Sequence, residues 1–221
     1  MKWFRYILMS MVAIVIVACG DDSEGFDYGN FKYDMVTYLG EENDNPIFTF
    51  QSYEDSPLIR LIASNIDKPE LKVGQRLLLN YEEIADLGHN TYLVLVKGMS
   101  KVNTDTIMIV KQATLDTLKR DAVKLGSVWR TGNYLNVRCQ VKYTEKPRIM
   151  CLATTGSVDD SGMIEAYQIQ DLMGAPTYYW LETYFSYYIA PVWEKSECKG
   201  LVYNVEDETY PDVKYYDFLK E

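Results

Sequence analysis

From residue 31 onward the chain alternates apolar and polar side chains in short runs, with no apolar stripe at helical spacing outside one short stretch after residue 111. Period-two alternation puts every second side chain on one face, so these runs predict half-buried β-strands. The first set covers 31–39, 47–51, 58–64, 76–84, 91–102 and 106–110. Its separators are turn formers: Gly40 to Pro46, Asp55-Ser56-Pro57, Asp67-Lys68-Pro69 and Leu87-Gly88-His89-Asn90. So many strands in so short a stretch predict a small closed barrel, and Gly74 sits where a sharp turn into the next strand, Leu77 to Tyr81, is needed. Between 111 and 125 the alternation stops, and Leu115, Leu118, Ala122 and Leu125 recur at helical spacing behind a cap candidate, Thr114. One short helix and an irregular linker both fit that stretch. Strands then resume at 128–130, 134–143, 148–155, 164–169, 178–189, 200–204 and 213–219, a set that predicts a two-sheet antiparallel sandwich.

The N-terminus follows a different rule. Met1 to Arg5 carries two positive charges, and an uncharged apolar run from Tyr6 to Ala18 ends at Cys19. The run is short for a membrane-spanning helix and suits the apolar region of an export signal. Ile16-Val17-Ala18-Cys19 has the form of a lipobox, in which cleavage before Cys19 frees its thiol to carry a lipid anchor. The segments expected are therefore 1–18 lipoprotein signal peptide, 19–30 acidic tether, 31–111 barrel, 112–127 linker and 128–221 sandwich. Gly20 at the second mature position does not resemble the inner-membrane retention signal of bacterial lipoproteins, which favours the outer membrane. Asp21-Asp22 resembles an acidic surface-export signal and favours the cell surface, with the periplasmic face as the alternative.

Composition narrows the function classes. The 221 residues carry 22 Lys+Arg against 32 Asp+Glu, a net charge of −10, with no basic stripe, so a nucleic-acid partner is not expected. Aromatic residues reach 14%, including 19 Tyr, too many for a disordered chain.

Two segments carry a resemblance. Lys72-Val73-Gly74-Gln75-Arg76-Leu77-Leu78-Leu79-Asn80-Tyr81 and Val128-Trp129-Arg130-Thr131-Gly132-Asn133-Tyr134-Leu135-Asn136-Val137, behind the lipobox and acidic tether, resemble the NigD-like lipoproteins. The resemblance implies an OB-like barrel followed by a β-sandwich over nearly all of the mature chain. It also implies an association with bacteriocin loci, and it brings no catalytic residues. The stretch 178–193 is more aromatic than the family leads one to expect.

Candidate chemistry is sparse. His89 is the sole histidine and sits in a turn, and no Gly-x-Ser-x-Gly elbow offers a nucleophile. Cys139, Cys151 and Cys198 lack metal-ligand spacing, and no cofactor or metal is expected. Cys139 and Cys151 lie on runs flanking Thr144 to Pro147, where a hairpin with a cross-strand disulfide and a pair of buried free thiols both remain open. The acidic clusters at 41–44, 159–160 and 206–208 read as solvated turns rather than as paired catalytic acids or calcium loops. Trp180, Tyr184 and Tyr188 share one face of their strand and are the candidate ligand contacts, since exposed aromatic rings suit sugars and protein partners. The reading is a non-catalytic lipoprotein, held in the outer membrane through Cys19, that binds an envelope protein or a glycan. A carboxylate-dependent hydrolase and a bacteriocin-associated envelope component are the alternatives.

Overall fold

A computed structural model describes residues 31–66 and 70–220; the signal, the lipobox with Cys19 and the tether lie outside them. The first five strands are β1 (Phe31–Glu42), β2 (Asn45–Phe50), β3 (Ile59–Ala63), β4 (Arg76–Gly88) and β5 (Thr91–Lys101). They close into a barrel in the order β1-β2-β3-β5-β4. The alternating side chains of these strands fill its interior, with Val36, Phe48, Leu61, Leu79, Tyr81 and Val94 all fully buried. Turn chemistry sets the hairpin registers. Asn43 and Asp44 both take positive φ between β1 and β2, as do His89 and Asn90 between β4 and β5. His89 is thus an exposed turn residue. Gly74 takes φ +85, and its N–H donates to the Tyr38 carbonyl at 2.8 Å, tying the entry of β4 to β1.

The sandwich begins earlier than its sequence pattern suggests. After Lys101, β6 (Asn103–Thr106) pairs in parallel with β12 (Trp180–Tyr188), and β7 (Met108–Ile109) pairs in parallel with β10 (Ile149–Val158). The stretch 103–109 therefore borders both sheets of the sandwich, with Ile107 buried between them. The helical spacing after it yields only one turn, α1 (Gln112–Leu115), with Lys111 and not Thr114 at its N-cap. Its apolar side packs on the outer face of the sandwich, where Leu115 and Leu118 cover Cys151, Ala153 and Ile169. Then come β8 (Lys124–Thr131), β9 (Tyr134–Lys142), β11 (Met163–Asp171), α2 (Ala190–Trp193), β13 (Gly200–Asn204) and β14 (Tyr215–Leu219). One sheet runs β14-β13-β11-β10-β7 and the other β6-β12-β9-β8. Val137, Val141, Leu152, Ile164, Tyr187 and Leu201 fill the space between the sheets.

This arrangement decides the cysteine question. β9 and β10 belong to opposite sheets, so the segment 143–148 crosses the sandwich rather than closing a hairpin. Cys139 and Cys151 are both buried free thiols, which corrects the disulfide alternative, and Cys198 is free as well. Burial in the core pushes the Cys139 thiol up to about 12.

Candidate functional site

The two segments that carry the family resemblance meet at the joint between barrel and sandwich. The outer face of the four-stranded sheet presents residues in rows across β8, β9 and β12: Ser127, Arg138 and Tyr184; Trp129, Asn136 and Ser186; Thr131, Tyr134 and Tyr188. Arg76, the first residue of β4, reaches onto the last two rows. Its guanidinium donates to Asn136 Oδ1 at 2.9 Å, Ser186 Oγ at 3.1 Å and Thr37 Oγ1 at 3.2 Å, and lies 4.5 Å over the Tyr134 ring. Arg76 is buried with neutral partners, and desolvation pulls it down to about 10.

A second clasp lies beside the first. The loop between β2 and β3 runs along the end of β8, where the Glu54 N–H donates to the Arg130 carbonyl at 2.9 Å and the Gly132 N–H to the Glu54 carbonyl at 2.7 Å. Arg130, buried against Trp193, forks onto Asp55 at 2.9 and 2.6 Å and donates to the Gly132 carbonyl at 2.9 Å. That fork holds the Asp55 carboxyl below its usual range. Gly132, at φ +52, is packed so closely that a Cβ there would lie 2.4 Å from Gln51 Oε1.

A groove opens along this joint. One hollow of about 310 Å³ lies between Tyr33, Phe50 and Gln51 of the barrel side and Trp129, Arg138 and Tyr184 of the sheet. It shares Tyr33, Asp34, Phe50 and Ser52 with a second hollow of about 370 Å³ that extends to Lys32, Tyr81, Glu83 and Tyr92 at the barrel mouth. Aromatic rings thus occur along both walls, interspersed with donors and acceptors, a composition suited to a polar ligand with apolar faces. Several of these groups are held in place. Tyr81 Oη donates to Asp34 Oδ2 at 2.9 Å, Asn80 Nδ2 to Tyr33 Oη at 2.6 Å, and Arg138 Nε and Tyr184 Oη both donate to Glu182 Oε1 at 2.7 Å. Burial pushes the Asp34 carboxyl up, against the opposing pull of the Tyr81 hydrogen bond.

The three aromatic residues singled out from the sequence do share the outer face of β12, but at separate places. Trp180 lies between the ammonium groups of Lys124 and Lys142, 4.4 and 5.2 Å from its ring. Tyr184 enters the groove. Tyr188 packs on Tyr134 at the joint, with ring centroids 5.4 Å apart. Tyr33, Phe50, Trp129 and Arg138 complete the groove and were not singled out from the sequence, because they come from strands far apart in the chain and no spacing links them. The acidic segment 206–208 also departs from a solvated turn: Asp207 is buried, and its Oδ1 accepts the N–H groups of Leu125 and Thr209. Among the described residues no cluster of three or more His, Cys, Asp and Glu side chains could hold a metal ion.

No protein-family model matches this sequence, and no curated protein matches it. Solved structures do share its fold. A protein of unknown function (DUF1344) from Bacteroides vulgatus aligns with a TM-score of 0.68 at 18% identity, over 86% of this chain and 90% of that one. A NigD-like immunity protein from Bacteroides caccae aligns with a TM-score of 0.60 at 17% identity, over 88% and 99%. A protein described as a candidate lipoprotein, from Bacteroides fragilis, aligns with a TM-score of 0.59 at 8% identity, over 86% and 96%. These shares are large enough to take in both barrel and sandwich.

Proposed function

We propose that this chain, which has the fold of a NigD-like protein, is a lipoprotein of the cell envelope that binds a glycan without chemically altering it. The observation that carries the reading is the groove at the joint, where Tyr33, Phe50, Trp129 and Tyr184 offer ring faces and Asp34, Gln51 and Arg138 offer polar groups. Sugar rings present apolar faces edged by hydroxyls, so aromatic walls with interspersed donors and acceptors match them. The lipobox at Cys19 and a lipoprotein-like neighbour support the anchor, and no helix among the described residues is long and apolar enough to cross a membrane. The outer membrane and its external face are part of the proposal, resting on Gly20 and Asp21-Asp22.

Binding is tested with the chain from residue 20 onward against isolated envelope polysaccharides, by calorimetry. Tyr33→Ala and Tyr184→Ala should each weaken binding about tenfold or more, the scale expected when a stacking ring is lost from a site. Retained binding in both variants sinks the groove as the site, and specific capture of one envelope protein in place of any glycan replaces the ligand class. Protease treatment of intact and lysed cells tests the external face, and Cys19→Ala, which should release the protein from membranes, tests the anchor.

One observation favours a second reading. Asp34 and Glu83 line the same hollow, with Asp34 pushed up by burial and Glu83 ion-paired to Lys32 at 2.5 Å, and two carboxyl groups on one hollow are the minimum a glycoside hydrolase needs. Release of reducing ends from a bound polysaccharide, abolished by Asp34→Asn, selects this reading over binding alone.

A further inference from the structure

We propose that the sandwich holds a second binding site, between its two sheets, for a small zwitterion: a free amino acid or a short peptide carrying both an ammonium and a carboxylate. A cavity of about 280 Å³ opens at the edge bordered by β6, lined by Asn103 and Asp105 of β6, Arg148 and Met150 at the start of β10, and Phe185 and Tyr187 of β12. Asp105, on β6 of one sheet, and Arg148, just ahead of β10 of the other, both line it and are not bonded to each other. Arg148 donates Nη1 to the Lys142 carbonyl at 2.8 Å, and Asp105 accepts only the N–H of its neighbour Thr106. An anion and a cation that face one cavity without pairing suit a ligand that supplies the opposite of each. Met150 and Phe185 line the same space and offer contact to an apolar side chain.

The inner side of the cavity is short of partners. Tyr187 Oη accepts from Gln168 Nε2 at 2.9 Å, and no acceptor for its own proton is present among the described residues. The cavity volume equals roughly nine waters at their liquid share, enough for an amino acid with a large side chain.

The test is calorimetry on the full mature chain with L-leucine, L-phenylalanine, leucylleucine and N-acetyl-leucine amide as probes. Saturable binding of a charged probe with none of the blocked amide is the expected result. Asp105→Asn and Arg148→Gln should each weaken it about tenfold or more, as for loss of a charge partner, while Tyr184→Ala in the groove leaves it unchanged. Tighter binding of leucylleucine assigns a peptide, and tighter binding of the free amino acids assigns those. The proposal is overturned if none of the four probes binds at about 10 mM, far above any useful affinity. Equal binding of the blocked amide, or unaltered binding in Asp105→Asn, overturns it too. Asp105 is exposed, so its variant should fold and carries the test if Arg148→Gln does not.

Discussion

Arg76 has only neutral partners in a buried setting, an arrangement whose cost depends on what replaces it. Truncation to Ala empties the volume beneath the barrel and removes three hydrogen bonds, and Arg76→Ala should cost about 2–4 kcal/mol in urea denaturation. Arg76→Met keeps much of that volume and leaves no buried counter-ion behind, so it should cost clearly less than Arg76→Ala. Equal losses would show that the charge, rather than the packing, matters at this position. Asp34 gives a pH signature of definite sign. Its carboxyl is pushed above the usual range by burial, so the folded state favours the protonated form. That contribution is complete below the ordinary pKa of 3.8 and is lost as pH rises through the raised value. Asp34→Asn should therefore raise the urea midpoint at neutral pH relative to the parent chain, and the difference should vanish in acid. A variant destabilised at neutral pH would mean that Tyr81 and Lys32 outweigh desolvation in holding the ionised form.

At the scale of elements, the turn between β8 and β9 links local backbone geometry to the joint. Gly132 is in the left-handed region, and a side chain there would collide with Gln51. Gly132→Ala should cost about 1–2 kcal/mol from backbone strain, plus whatever it costs to displace Gln51. In a double-mutant cycle, Gln51→Ala should relieve the second part and leave the first, so the pair should be non-additive. Additive losses would show that Gln51 moves aside freely. Element prediction from sequence works best where burial is written locally. The strands from Phe31 to Lys101 and from Tyr134 to Leu219 are legible because short apolar runs are set apart by turn formers, and most of them alternate over one buried face, although β2 and the middle of β10 are buried on both. Residues 102–127 are legible only in part: the run at 106–110 marks β7 and the spacing after it marks one helical turn, but the transfer of β6 and β7 to the sandwich is not marked, because they are short parallel edges and Leu115 and Leu118 meet their partners on the outer face of a sheet formed mainly by later strands.

For the whole molecule, the two buried arginines imply coupling. Arg76 reaches from the barrel into the sandwich, and Arg130 reaches from the sandwich to a barrel loop. Barrel and sandwich should therefore unfold in one cooperative step, with Trp fluorescence from Trp129 and Trp193 near the joint coinciding with far-UV circular dichroism from the strands. Separate transitions would show that the joint contributes little to either part. The groove exists only because of this docking, since its walls belong to different halves of the chain.

The all-β class and the strand-and-turn rhythm can be read directly from the chain, because each depends on side chains close together in sequence: alternation within a strand, and turn formers between strands. The pairing of strands, the separation of Cys139 from Cys151, the burial of Arg76, Arg130 and Asp207, and the groove are tertiary outcomes. Each depends on which face of one sheet comes to lie against another element. That is decided by the summed burial and hydrogen bonding of residues tens of positions apart, which no local pattern encodes.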